Sequence, residues 1–204
     1  METIDLNTEL ELKLAALEKQ IGNTPLFDFS ELLSNVNVKL FAKLEWQQLS
    51  GSVKARAAYG IIKSAFETGE LNVHKVLLDA SSGNTGIAYA TIAKELGIPF
   101  TLVLPENASQ KRKDILKELG AKIIYSSPFE GTDGAQIVAK EIFEAEPALY
   151  FYADQYNNEA NWKRHFESTA PEIWEQTKGK VTHFAASLGT TGSFVGVGKY
   201  LKMQ

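Results

Sequence analysis

The sequence contains no cysteine. This excludes a disulfide framework, a thiolate nucleophile and a thiolate metal site. No apolar stretch approaches the roughly 20 residues needed to span a bilayer. Met1 to Gln20 is rich in Glu and Leu and lacks the basic flank and apolar run of a signal peptide. The net charge is −4, with acids and bases mixed along the chain, so the basic stripe that nucleic-acid binding requires is missing. His74, His165 and His183 are scattered without metal-ligand spacing and read as structural. There is no internal repeat and no low-complexity segment. The expectation is a soluble, cytoplasmic protein whose partners are small molecules, not nucleic acid or membrane. An anionic ligand stays open, because a local pocket can be positive in an acidic protein.

What is present suits a packed core. Of 204 residues, 44% are hydrophobic and 23% charged, enough for one or two domains. Leucines at helical spacing (Leu10, Leu12, Leu14, Leu17) predict a helix over Glu9 to Lys19, and Gly22-Asn23-Thr24-Pro25 breaks it. Val38 to Leu44 reads as a strand, and Val53 to Phe66 as a helix closed at Gly69. Strands and helices then alternate. The predicted strands are Val76–Leu78, Phe100–Leu104, Ile123–Tyr125, Leu149–Ala153 and His183–Ala186. The predicted helices are Asn84–Leu96, Ser109–Leu119, Gly134–Ala145, Asn161–Trp174 and Gly192–Leu201. Short apolar strands alternating with helices imply βαβ units and a mainly parallel α/β sheet. Such sheets bind ligands where strands end and helices begin.

Three of those junctions carry unusual small or polar residues. Ser50-Gly51-Ser52-Val53-Lys54-Ala55-Arg56 places Lys54 in the first turn of an apolar helix. Burial and a helix N-terminus both disfavour a charged amine, and a neutral amine is what attacks a carbonyl. The alternative is a solvated lysine. Asp79-Ala80-Ser81-Ser82-Gly83-Asn84-Thr85-Gly86 follows a buried strand and opens a helix. A simple helix cap needs one polar residue, whereas this turn supplies several hydroxyls and unobstructed N–H groups, as an anion site would. Ser187-Leu188-Gly189-Thr190-Thr191-Gly192-Ser193 has the logic of a phosphate cradle without the Gly-Lys-Ser/Thr of a Walker loop. One lysine and two anion-binding turns suit a phosphorylated aldehyde cofactor with a carboxylate substrate. Pyridoxal 5′-phosphate with an amino acid is the natural pair.

At these residues the chain resembles a family. Ile21-Gly22-Asn23-Thr24-Pro25-Leu26, Ser52-Val53-Lys54-Ala55-Arg56, Ser81 to Gly86, Leu104-Pro105-Glu106-Asn107, Asp154-Gln155-Tyr156 with Asn161, Pro171-Glu172-Ile173-Trp174 and Gly189 to Ser193 run in order. In that order they are similar to the cysteine synthase and cystathionine β-synthase family of fold-type II pyridoxal-phosphate enzymes. The resemblance implies that Lys54 holds the cofactor as a Schiff base and moves protons at Cα, and that Asn84 bonds the cofactor's 3′-oxygen. It implies that Ser81, Ser82, Gly83, Asn84, Thr85 and Gln155 bind the substrate. Gly189, Thr190, Thr191, Gly192 and Ser193 would bind the phosphate. It implies a large domain using residues 1–45 and 157–204, a small mobile domain over 46–156, and a homodimer in the full-length form. The implied reaction replaces the acetate or phosphate of O-acetylserine or O-phosphoserine with sulfide or a thiol to make cysteine.

Some residues depart from the family pattern. Ala55, Gln48-Leu49, Thr191 and Ser193 differ from common family residues, and Thr191 puts a side chain where the backbone favours glycine. Dehydratase relatives tend to carry Phe before the lysine and Gly three residues beyond it; Val53 and Ala57, with Gln155, favour the synthase. Trp46, Trp162 and Trp174 read as packing residues, and Lys111-Arg112-Lys113 as a solvated helix face. The last helix is apolar and ends abruptly, so the sequence is expected to be a piece of a longer chain whose large domain it leaves incomplete. A non-catalytic module is the remaining alternative.

Overall fold

The computed structural model describes residues 6–34 and 37–204. Helix α1 (Leu6–Glu18) buries Leu10, Leu14 and Leu17, which lie three and four residues apart on one face. Leu12, included in the apolar pattern, lies off that face and is 61% exposed. Gly22 and Asn23 both take positive φ and end the segment. Strand β1 (Leu26–Asp28) pairs antiparallel with β2 (Phe41–Lys43) in a separate two-stranded ribbon. Only Phe41–Lys43 of the predicted strand Val38–Leu44 pairs, because β1 offers it three residues.

Helix α2 (Lys54–Glu67) is rich in Ala and Gly on its buried side, so it packs closely. A Cβ on Gly60 would meet Arg164 Cβ at 2.6 Å. The main sheet contains β3 (Val76–Ala80), β4 (Phe100–Pro105), β5 (Lys122–Ser126) and β6 (Tyr150–Tyr152), all parallel, in the order β5-β4-β3-β6. The central strands β3 and β4 are buried almost throughout, as strands covered on both faces must be. Side chains alternate between the two faces. Leu77, Leu102 and Leu104 join one apolar cluster with α1, α2 and α3 (Asn84–Leu96). Leu78, Ala80 and Val103 join a second with α5 (Gly131–Ala145). Helix α4 (Gln110–Glu118) connects β4 to β5.

After β6 come α6 (Glu159–Arg164), a π-helical turn over His165–Thr169, and α7 (Ala170–Gln176). The predicted helix Asn161–Trp174 is therefore helical but widened in its middle. The chain closes with α8 (Gly192–Met203). His183–Ala186, expected as a strand, is not one. A strand needs a neighbour to satisfy its N–H and C=O groups, and no strand of the described residues pairs with it.

The strand order places the site. From β3 the chain moves through α3 to β4 and on to β5, and α5 then carries it back to β6 on the other side of β3. The carboxyl ends of β3 and β6 therefore flank a topological switch point, where open α/β sheets bind their ligands. The Ser81–Gly86 turn follows β3, and Gln155 follows β6.

Candidate active site

The turn after β3 gathers hydroxyls and backbone N–H groups at a helix start. Ser81 and Thr85 are buried, and Ser81 Oγ accepts from Gly83 N at 3.1 Å. Gly83 precedes α3 in extended conformation, and no side chain caps that helix start. The N–H groups of its first turn are thus not consumed by a side-chain cap. Space beside Gly83 is open, whereas a Cβ on Gly86 would meet Leu102 Cδ2 at 2.7 Å. Glycine at 86 lets α3 lie close on β4. Ser82 shares a 2.9 Å hydrogen bond with Thr132 of α5. Gln155 is buried and donates through Nε2 to Ala80 O at 3.1 Å. Both edges of the switch point therefore meet at this turn.

Asp79, the last acidic residue of β3, lies beneath. It is completely buried, with Oδ1 accepting from Ala80 N at 2.8 Å. Among the described residues, its Oδ2 and the buried hydroxyl of Tyr89 make no hydrogen bond of good geometry. Burial, with the nearby charge of Asp154, pushes the Asp79 carboxyl up to about 7.

Lys54 is the first residue of α2 and is half-buried. Burial alone lowers its amine from the ordinary lysine range, which favours the neutral, nucleophilic form. Two residues on, Arg56 has no exposed surface. It donates to both oxygens of Glu172 and both of Glu45. Arg56 and Glu172 lie within the sequence motifs, but nothing local in the sequence gives either a role. Their only local signal was an arginine inside an apolar helix.

The third junction precedes α8. Thr191 adopts φ 65°, the left-handed region that favours glycine. Gly192 and Ser193 begin the helix, again without a side-chain cap. Asn161, buried on α6, donates through Nδ2 to Gln155 O at 2.8 Å and to Thr190 Oγ1 at 3.0 Å. A Cβ on Gly192 would collide with Asn161 Oδ1. A cavity of about 140 Å³ opens here, lined by Tyr156, Asn161, Trp162, Thr190, Gly192 and Val195, among others. A continuous chain of contacts thus runs from Ala80 through Gln155 and Asn161 to Thr190. Among the described residues, no hydrogen bond joins the side chains of Lys54, Asn84 or Ser193 to the other predicted site residues. His165, on the π turn, is buried and neutral: burial, reinforced by the charge of Arg56, drives it down to about 3.

A depressed lysine amine, one donor-rich turn and a second helix-start loop match the chemistry of a phosphorylated aldehyde and an amino-acid carboxylate. A family model described as pyridoxal-phosphate dependent enzyme matches residues 17–204. The chain belongs to this family.

Among pyridoxal-phosphate dependent enzymes, the chain is similar to a cysteine synthase of Aquifex aeolicus. The two are 47% identical over 188 residues, covering 91% of this chain and 58% of that protein. Among solved structures it is similar to a cysteine synthase from Entamoeba histolytica (TM-score 0.85, 31% identity, 92% of this chain and 56% of that one). It is equally similar to the O-acetylserine dependent cystathionine β-synthase from Helicobacter pylori (TM-score 0.85, 33% identity, 92% and 61%). The chain therefore spans somewhat more than half the length of these relatives. The parallel α/β fold expected from the sequence is the fold these structures share. Among the described residues, no helix is long and apolar enough to cross a membrane.

Proposed function

We propose that this chain carries the lysine, the carboxylate turn and the phosphate loop of a cysteine synthase, which replaces the acetate of O-acetylserine with sulfide to form cysteine. The half-buried Lys54 amine, lowered by burial, carries this reading. The similarity to a cysteine synthase and to an O-acetylserine dependent cystathionine β-synthase supports it.

Lys54 would hold pyridoxal 5′-phosphate, Asn84 would bond its 3′-oxygen, and the loop Gly189 to Ser193 would take its phosphate. When bound, that group supplies an electron sink for charge developing at the substrate Cα. Chain residues supply the rest. Ser81, Ser82, Gly83, Thr85 and Gln155 orient the substrate carboxylate, and the switch-point geometry brings both arms of this set together. Lys54 moves the proton at Cα; positioned acid–base groups of this kind contribute about 10²–10⁴-fold. The buried ion pairs of Arg56 keep the head of α2, and so Lys54, in place.

Residues 46–156 are proposed as a smaller mobile unit. Residues 1–45 and 157–204 would contribute to a larger one, in an enzyme that acts as a cytoplasmic homodimer. The deciding assay supplies O-acetylserine or O-phosphoserine with sulfide or a thiol. Cysteine from O-acetylserine and sulfide, abolished in Lys54→Ala, is expected. Faster turnover of O-phosphoserine would reassign the donor, and release of pyruvate from serine would reassign the reaction to a dehydratase. Cofactor binding without turnover of any of these would leave a binding module.

A further inference from the structure

Asn161 has no role in the account above, yet its contacts are unusually constrained. It is buried, and its side-chain amide reaches two acceptors, Gln155 O at 2.8 Å and Thr190 Oγ1 at 3.0 Å. Gln155 O is a backbone carbonyl and can only accept. The atom facing it must therefore be the NH2 group, which fixes the orientation of the amide. That NH2 carries no lone pair to offer, so Thr190 Oγ1 must also accept. The hydroxyl proton of Thr190 then has to point away from Asn161. Among the described residues it finds no acceptor, and Thr190 lines the cavity at the start of α8.

The seat of this amide is tight. Gly192 packs so closely on Asn161 that any side chain there would collide with it, and Gly196 packs against Trp162 O and His165 Cβ. Rotation of the Asn161 amide would break both of its hydrogen bonds. Its Nδ2 is also the link that joins Gln155, on the substrate side, to the loop Gly189–Ser193.

We propose that Asn161 is a positioning residue: it orients the Thr190 hydroxyl as a dedicated donor toward a phosphate held in the loop Gly189–Ser193. The inference rests on the reading of that loop as the phosphate site. It predicts an effect specific to phosphate, not to the ring or the aldehyde.

Pyridoxal, which lacks the phosphate, separates these. Affinities of the cofactor-free chain for pyridoxal 5′-phosphate and for pyridoxal are measured by fluorescence titration. The wild-type chain is expected to prefer the phosphorylated form strongly. Asn161→Ala should cut that preference about tenfold or more, the scale of a lost hydrogen bond to a charged group, with pyridoxal affinity nearly unchanged. Thr190→Val should cut it by a similar factor, Thr190→Ser should retain it, and the Asn161→Ala/Thr190→Val double variant should lose no more than either alone. An equal loss for both ligands in Asn161→Ala, or additive losses in the double variant, would overturn the proposal. Thr190→Val leaves Asn161 in place and decides the matter should Asn161→Ala not fold, since an unchanged preference there overturns it as well. A wild-type chain without preference for the phosphorylated form would instead sink the assignment of the loop itself.

Discussion

Arg56 grips Glu172 with both ends of its guanidinium, at 2.7 and 2.8 Å, across 116 residues of sequence. The same group holds Glu45 at 2.8 and 2.9 Å, and Lys43 reaches Glu172 at 2.6 Å. The head of α2 is thereby tied to the segment after β2 and to α7. Removing one partner of a buried pair leaves the other charge stranded, at a cost of about 3–5 kcal/mol. Arg56→Met should destabilise the chain by that amount in urea denaturation. Arg56→Lys should recover little, because an ammonium cannot reproduce the two-pronged geometry. Wild-type stability in the lysine variant would contradict this.

Acid should unfold the chain through two groups with the same sign. Burial would raise Glu172, but hydrogen bonds from Arg56 and Lys43 outweigh it and bring the carboxyl down to about 2. Burial drives His165 down to about 3. Both groups have folded values below their ordinary ones, so the stability they contribute is lost as pH falls, from about 6.5 for His165 and 4.5 for Glu172. His165→Gln should remove the upper part of this acid limb in denaturation curves taken between pH 7 and pH 4.

Asp79 acts in the opposite direction. Its folded value, about 7, lies above the ordinary 3.8, so the fold is favoured while the carboxyl is protonated. That advantage is lost as pH rises from about 4 through about 7, on the order of 4 kcal/mol. Asp79→Asn stays neutral throughout and should flatten this limb. An unchanged difference in stability between pH 5 and pH 8 would contradict the assignment.

Thr191 carries a β-branched side chain at φ 65°, a conformation that costs non-glycine residues roughly 1–2 kcal/mol. Thr191→Gly should raise the melting temperature or leave it unchanged, since relief of strain exceeds or matches the added freedom of the unfolded chain. A clear loss of stability would mean that the Thr191 side chain makes an unrecognised contribution.

Local signals made much of this architecture readable. Helix α3 has the predicted bounds because Gly83 precedes it in extended conformation and Gly97, at φ 74°, ends it. The turns at Ser81 and Gly189 were visible as small polar residues between apolar runs. Long-range relationships were not visible. The π turn at His165–Thr169 lies where Gly196 of α8 presses on Trp162 O and His165, which no local pattern announces. Arg56, Glu45 and Glu172 are far apart in the chain, and Asn161 gains its meaning only from Gln155 and Thr190. The three-residue strand β1 is too short for a periodicity, and the apolar run at His183–Ala186 resembled a strand without having a neighbour to pair with.

The central claim is that Lys54 carries the cofactor, and peptide mapping after reduction tests it most directly. The chain is mixed with pyridoxal 5′-phosphate, reduced with borohydride, digested and analysed by mass spectrometry. A stoichiometric phosphopyridoxyl adduct confined to the peptide containing Lys54, and absent from Lys54→Ala, is the predicted result. An adduct spread over surface lysines, or one retained at full yield in Lys54→Ala, would contradict it.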